Sequence, residues 1–450
     1  MILYHTTLFG SAERAARSIA RAESARQRVL AWLAAGQIAA GSGGRSPRAS
    51  TAGGSGGSSL RASTAGGSGG SSPRASTAGG STTGADRTPA GLVVTGPGAV
   101  AWVTGGIAPP VDRAASVDLV WAVITAAGSW LVTTNVEAER IRAEYDPAGH
   151  GFSGVAEVPW HTPEAFARVA ADLAGVPAGQ LASDGHQAFG IDASDDLIAL
   201  RLALSPAEVD DLADLGRDAA HAVQRALAQW QPGERDLDIQ ARCAALIESA
   251  GADAPVMIVG GDDRLRAYRH PMAVGAPVRE LVMVVVVARR AGLHVALTRF
   301  AAAGSLDPGY AALRGKVLAI EDAVLDACVP GASYGEALEA LAAGYAASGA
   351  LGGWKGHYQG GPVGYAQREF EIAPGQAESR WYAQPIAPAH AIAWNPSLPG
   401  GAKAEDTYLV TAGLDVGGGQ LSRLTDAPGW PEETTDSRRP QRPAVLEVGT

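Results

Sequence analysis

The chain of 450 residues is long enough for two hydrophobic cores, because single cores stop growing well below that length. With 46 acidic against 36 basic residues its formal net charge is -10, which argues against a surface built to neutralise nucleic-acid phosphates. Cys243 and Cys328 are the only cysteines; they exclude a disulfide framework or a C-x-x-C metal site and fit a reducing, cytoplasmic compartment.

Glu13 and Arg14 interrupt the stretch where a secretory signal would need an unbroken apolar core. No run approaches the roughly eighteen apolar residues of a membrane span. Neither membrane nor nucleic acid is therefore expected as a partner. Residues 12 to 36 repeat at helical spacing, with Ile19, Val29, Leu30 and Leu33 as the expected buried stripe. From Gly41 to Gly84 a thirteen-residue repeat, PRASTAGGSGGSS, starts at Pro47, Leu60 and Pro73. Such a composition has too little apolar surface to form a core and reads as a flexible linker or loop insertion. LVVTGPGAVAWVTGG, VDLVWAVI and SWLVTT then read as short apolar strands before a helix-like NVEAERIRAEY, which predicts a small α/β domain over 1–195.

At Ser205 an N-cap, Pro206 and the capping-box residue Glu208 open a long helix with Val209, Leu212, Leu215, Ala219, Val223 and Leu227 on its buried side. A second helix covers about 236–250 and ends at Gly251. LVMVVVV at 281–287 is apolar throughout, as a strand buried on both faces is, and a partner strand follows at 292–300. Helices return at 308–327 and from Ser333, where Glu336 completes a second capping box; strands run from His357 to about 412. The fold class is α+β, with a larger domain over 196–425 and a tail over 426–450.

The motifs YRHP, LTR, HYQGG, WNP and AEDTYLVT occur in the order found in the creatinase and Xaa-Pro aminopeptidase family, and LSPAEVDDLADLGRDAA resembles that family's entry helix. The resemblance implies a pita-bread domain preceded by a smaller creatinase-like domain. It also implies five metal-ligand positions, which fall on Val285, Ala296, Gly361, Asn395 and Glu405. Hard oxygen and imidazole donors are needed there to hold two divalent ions, and only Glu405 retains one that matches the family. No metal and no other cofactor is therefore expected. His294, on the strand face of Ala296, offers with Glu405 a rearranged mononuclear site as an alternative.

His270 and His357 match the family's non-ligand cleft histidines and are the expected acid–base pair. Arg368 stands where the family has a further histidine, and Arg299 keeps its place after Thr298. With Asn395 and Glu405 they form the expected ligand site, which exchanges a cation site for one suited to a carboxylate. Pairing of Arg368 with Glu369 or Asp406 would instead make it a structural residue. Arg269, Arg289 and Arg290 are expected to be solvated. The function implied is a metal-free family member, a homodimer as is common in the family, that binds a small carboxylate or peptide-like ligand with hydrolysis through His270 and His357. A non-catalytic peptide-binding module and a metal-dependent Xaa-Pro aminopeptidase are the alternatives.

Overall fold

The structure is a computed structural model that describes residues 11–36, 88–107, 109, 111–372, 379–413, 420–433 and 441–449. The repeats at 41–84 lie outside them. Helix α1 (Ala12–Ala35) starts at Ser11, whose side chain accepts from the Arg14 amide, and ends at Gly36 in the left-handed region. Its buried side is Ala15, Ser18, Arg21, Ala22, Ala25, Val29 and Trp32, while the predicted Ile19, Leu30 and Leu33 are half-buried. Small residues let a second backbone approach closely. Ser18 Oγ donates to the Gly105 carbonyl at 2.8 Å, and a Cβ on Gly105, where φ is 68°, would lie 2.1 Å from the Ser18 carbonyl.

The smaller domain is a mixed six-stranded sheet of β1 (Gly91–Val94), β2 (Val120–Thr125), β3 (Gly128–Thr134), β4 (Gly154–Val158), β5 (Leu181–Ser183) and β6 (Ile191–Asp192), in the order β4-β3-β2-β1-β5-β6. One predicted strand is a helix. Residues Pro97–Thr104 form α2, with Pro97 in the first turn and Gly105 as its left-handed cap, and six of its eight residues are buried. A helix apolar on all sides has no period to distinguish it from a buried strand, and here the flanking Pro and Gly carried the signal. Helices α3 (Ala138–Glu144), α4 (Ala165–Ala174) and α5 (Ser194–Leu202) complete this half.

In the larger domain α6 (Pro206–Ala228) begins with the predicted capping box: Ser205 N donates to Glu208 Oε2 at 2.6 Å, and Glu208 N to Ser205 Oγ at 3.4 Å. After α7 (Asp236–Ser249), strands β7 (Asp253–Gly261), β8 (Leu281–Arg290) and β9 (Leu293–Ala303) pair antiparallel, with the short α8 (Asp262–Ala267) after β7. Alternate residues of β8 enter two cores. Val282, Val284 and Val286 pack with α6 and α7, whereas Leu281, Met283 and Val285 pack with α9 (Pro308–Ala327) and α10 (Tyr334–Ala347). That two-sided burial explains the unbroken apolar run. Strands β10 (Gly360–Val363), β11 (Ala391–Trp394), β12 (Asp406–Thr411) and β13 (Gln420–Arg423) form an antiparallel sheet joined to β9, where Thr298 N donates to the Glu405 carbonyl at 2.9 Å.

The segment read as a tail belongs to this domain. Strand β14 (Leu446–Val448) adds in parallel to β9, Arg442 pairs with Glu321 at 2.9 Å, and buried Trp430 donates through Nε1 to the Ala444 carbonyl. Edge pairing and single ion pairs leave no hydrophobic period, so the composition of this stretch did not announce its packing.

Candidate functional site

The β8–β9 register sets Val285 opposite Thr298 and Val287 opposite Ala296, so these four side chains share one face of the hairpin. Glu405, just before β12, meets that face: Thr298 Oγ1 donates to Glu405 Oε2 at 2.7 Å. Lys403 lies two residues earlier, on the same side of an extended chain, with Nζ 3.0 Å from the same oxygen. The Lys403 and Glu405 side chains are only 4% and 3% exposed. Burial by itself would raise the Glu405 pKa, yet Lys403, the Thr298 hydroxyl and Arg368 together hold it below the usual carboxylate value. Lys403 was absent from the sequence-based site, although the spacing Lys403-Ala404-Glu405 carried the signal.

His270, in the loop after α8, and His357, ahead of β10, are neighbours, with ring centroids 5.2 Å apart at an edge-on angle of 62°. Nδ1 of His357 bonds to the Tyr358 carbonyl, and its buried Nε2 has no hydrogen-bond partner among the described residues. Burial, then the Lys403 charge, depresses His357 to about 4. His270 sits at the exposed rim and is shifted downward by partial burial, with Lys403 next in effect. Both imidazoles are therefore neutral near pH 7 and able to accept a proton.

Arg368 donates through Nη1 to the carbonyls of Gly361 (3.2 Å) and Ala393 (2.8 Å). Neither acid suggested by the sequence neutralises it. Glu369 is held by Arg201 Nε and Nη2 (2.8 and 2.6 Å) and by the Tyr365 amide, while Asp406 accepts from Arg299 and Thr425. The acid paired with Arg368 is Glu371, at 3.7 Å and half-exposed. A Cβ on Gly361 would lie 3.7 Å from Arg368 Cδ, so the arginine stem passes directly beside the position where the resemblance places a histidine.

The other expected ligand residues have different engagements. Arg299 is buried and committed to Asp406 (2.7 Å) and the carbonyls of Thr425 and Thr298. The Asn395 amide, oriented by its hydrogen-bonding surroundings, donates to the carbonyls of Tyr358 and Gln359 and so fastens the His357 segment. Arg269, Arg289 and Arg290, expected to be solvated, are bound to Ser397, Asp253 and Asp218 respectively, because their partly buried guanidinium groups require acceptors. His294 bonds to the Gly364 carbonyl and faces a cavity of about 270 Å³ between the two domains, lined also by Arg290 and Tyr365 but not by Glu405.

The donor set does not fit a divalent metal pair. Val285 and Ala296 have no ligand atoms, Gly361 has no side chain, the Asn395 amide is spent on carbonyls, and the Glu405 carboxylate already carries an ammonium that would repel a cation. Among the described residues no three His, Cys, Asp or Glu side chains gather to hold an ion.

Residues 211–412 match the family model of metallopeptidase family M24. The larger domain carries that family's fold, and the chain is similar to the creatinase and Xaa-Pro peptidases. Dipeptidase PepE from Mycobacterium ulcerans superposes with a TM-score of 0.60 at 21% identity, over 80% of this chain and 94% of that one. The prolidase from Pyrococcus horikoshii gives 0.59 at 17%, over 75% and 94%. The N-terminal domain of FACT complex subunit SPT16 from chickpea, Cicer arietinum, gives 0.55 at 11%, over 75% and 91%. No curated protein matches the chain.

Proposed function

We propose that the cleft is a metal-independent site that binds a small carboxylate or peptide-like ligand and hydrolyses its amide bond. The observation that carries this reading is the contact of two neutral imidazoles, His270 and His357, beside the Lys403–Glu405 pair on which Arg368 also acts, an arginine whose paired acid is the half-exposed Glu371 at 3.7 Å. Arg368 supplies the charge for a ligand carboxylate. His270 takes a proton from water as the water oxygen bonds to the amide carbon, and the proton passes to the leaving nitrogen as the C–N bond breaks. The prolidases and dipeptidases of similar fold support a peptide-like substrate, and the lack of metal donors at Val285, Ala296 and Gly361 favours a second reading, binding without turnover.

The test is hydrolysis of a dipeptide panel by chelator-treated protein, followed by chromatography of released amino acids. Turnover that survives the chelator and is lost in His270→Ala agrees with the proposal. Binding without product in the wild type selects the non-catalytic reading. Turnover only after manganese is added would restore the metal-dependent aminopeptidase.

A further inference from the structure

Building on the carboxylate-binding reading, we propose that Lys403 is the resident cation of the cleft: its ammonium receives the anionic group of the ligand, and the cavity beside it takes an apolar group of the same molecule. The ligand class is thus a carboxylate carrying a short hydrocarbon side.

Three observations lead there. The first is capacity. An ammonium has three N–H donors and one carboxylate oxygen, Glu405 Oε2, lies 3.0 Å from Lys403 Nζ, so a single oxygen leaves room for a second acceptor. That oxygen is also shared with Thr298 Oγ1. The second is charge. Lys403 and Arg368 both act on Glu405, and the further acid beside Arg368, Glu371, is half-exposed and 3.7 Å away, so two inward cations share one buried carboxylate and can take a second from outside. The third is space. Lys403 lines a cavity of about 260 Å³ whose other walls include Leu265, Met283, Leu398 and Ala402, with the polar pair Arg269 and Ser397 at its side. A lysine provides a compact point charge without the ligand-exchange chemistry of a metal, which suits it to anchoring an anion.

Acetate and hexanoate serve as probes, titrated into the full chain while the histidine ring signals are followed by NMR. Hexanoate is expected to bind about tenfold or more tightly than acetate, because its extra methylenes enter the cavity. Lys403→Met should weaken both by about tenfold or more, and Lys403→Arg should keep most of the affinity. Since Lys403→Met leaves Glu405 unpaired, the double variant Lys403→Met/Glu405→Gln removes both charges and should show the same loss in a folded protein. Unchanged affinity in the double variant, or equal binding of the two probes, overturns the proposal. If Arg368→Gln abolishes binding while the Lys403 variants bind normally, this inference falls and the carboxylate-binding reading stands. A wild type that takes up neither probe overturns both.

Discussion

Lys403 Nζ lies 3.0 Å from Glu405 Oε2, and both side chains are almost sealed from solvent on the hairpin face that carries Val285 and Ala296. Two buried charges of opposite sign are tolerable together and costly apart. Glu405→Gln should therefore destabilise the protein by about 3–5 kcal/mol through the orphaned ammonium. Lys403→Met/Glu405→Gln should recover most of that loss. Urea unfolding of the three proteins decides, and a double variant no more stable than the single would show that the pair is not coupled.

The same cation bears on metal uptake. Dialysis out of manganese or cobalt, followed by elemental analysis, should leave no stoichiometric ion, since four of the five positions where the resemblance places metal ligands lack a suitable donor and the fifth, Glu405, is paired with Lys403. About two ions per chain would contradict this.

A pH effect is expected at His390. It is buried, and its Nδ1 faces both the Tyr334 hydroxyl (3.1 Å) and the Ala387 amide (3.4 Å), so it serves as an acceptor that protonation would remove. Burial depresses its pKa to about 4 from the ordinary 6.5. The unfolded chain therefore binds this proton more readily than the native one, and the stability is complete above pH 6.5 and lost as the pH falls toward 4. His390→Asn, which keeps an acceptor, should lose less over that window, by about 3 kcal/mol. Denaturant melts at pH 7, 5.5 and 4 test this; parallel curves for the two proteins would refute it.

Residues 41–84 should be replaceable by a short linker. Gly36 and Thr88, the nearest described positions on either side, touch: a Cβ on Gly36 would lie 3.1 Å from Thr88 Oγ1. With a Gly-, Ser- and Thr-rich composition between them, the expected change in melting temperature is close to zero. A drop of several degrees would show that the repeats contribute to the packed body.

The elements with strong local chemistry were legible from sequence. Both capping boxes form, at Ser205 with Glu208 and at Ser333 with Glu336, and the 281–287 run is the doubly buried strand expected. Motif order also anticipated that His270 would meet His357. What escaped was set by tertiary context. The helix at Pro97–Thr104 has no polar face, the 441–449 segment is held by one parallel pairing and by Arg442, and Lys403 acquires meaning only when β9 brings Thr298 against Glu405. Which acid would take Arg368 depended on Arg201 and Arg299, far away in sequence, having already claimed Glu369 and Asp406.

Helix α1 precedes the repeats yet docks on α6 through three arginines facing three aspartates: Arg14 with Asp218, Arg17 with Asp211 and Asp214, and Arg21 with Asp211. Arg21 is wholly buried and reaches on to the Tyr365 hydroxyl and to the carbonyl of Ala291, at the tip of the β8–β9 hairpin. The first helix is thus bound like a peptide in its receptor, so that continuity of the backbone is not what keeps it there. A protease cut within 41–84 would convert the single chain into a two-piece complex, and a synthetic peptide of residues 11–36 would be able to reconstitute a truncated body. Through Ala291 and Tyr365, occupancy of that seat becomes a condition on the hairpin whose second strand carries Thr298.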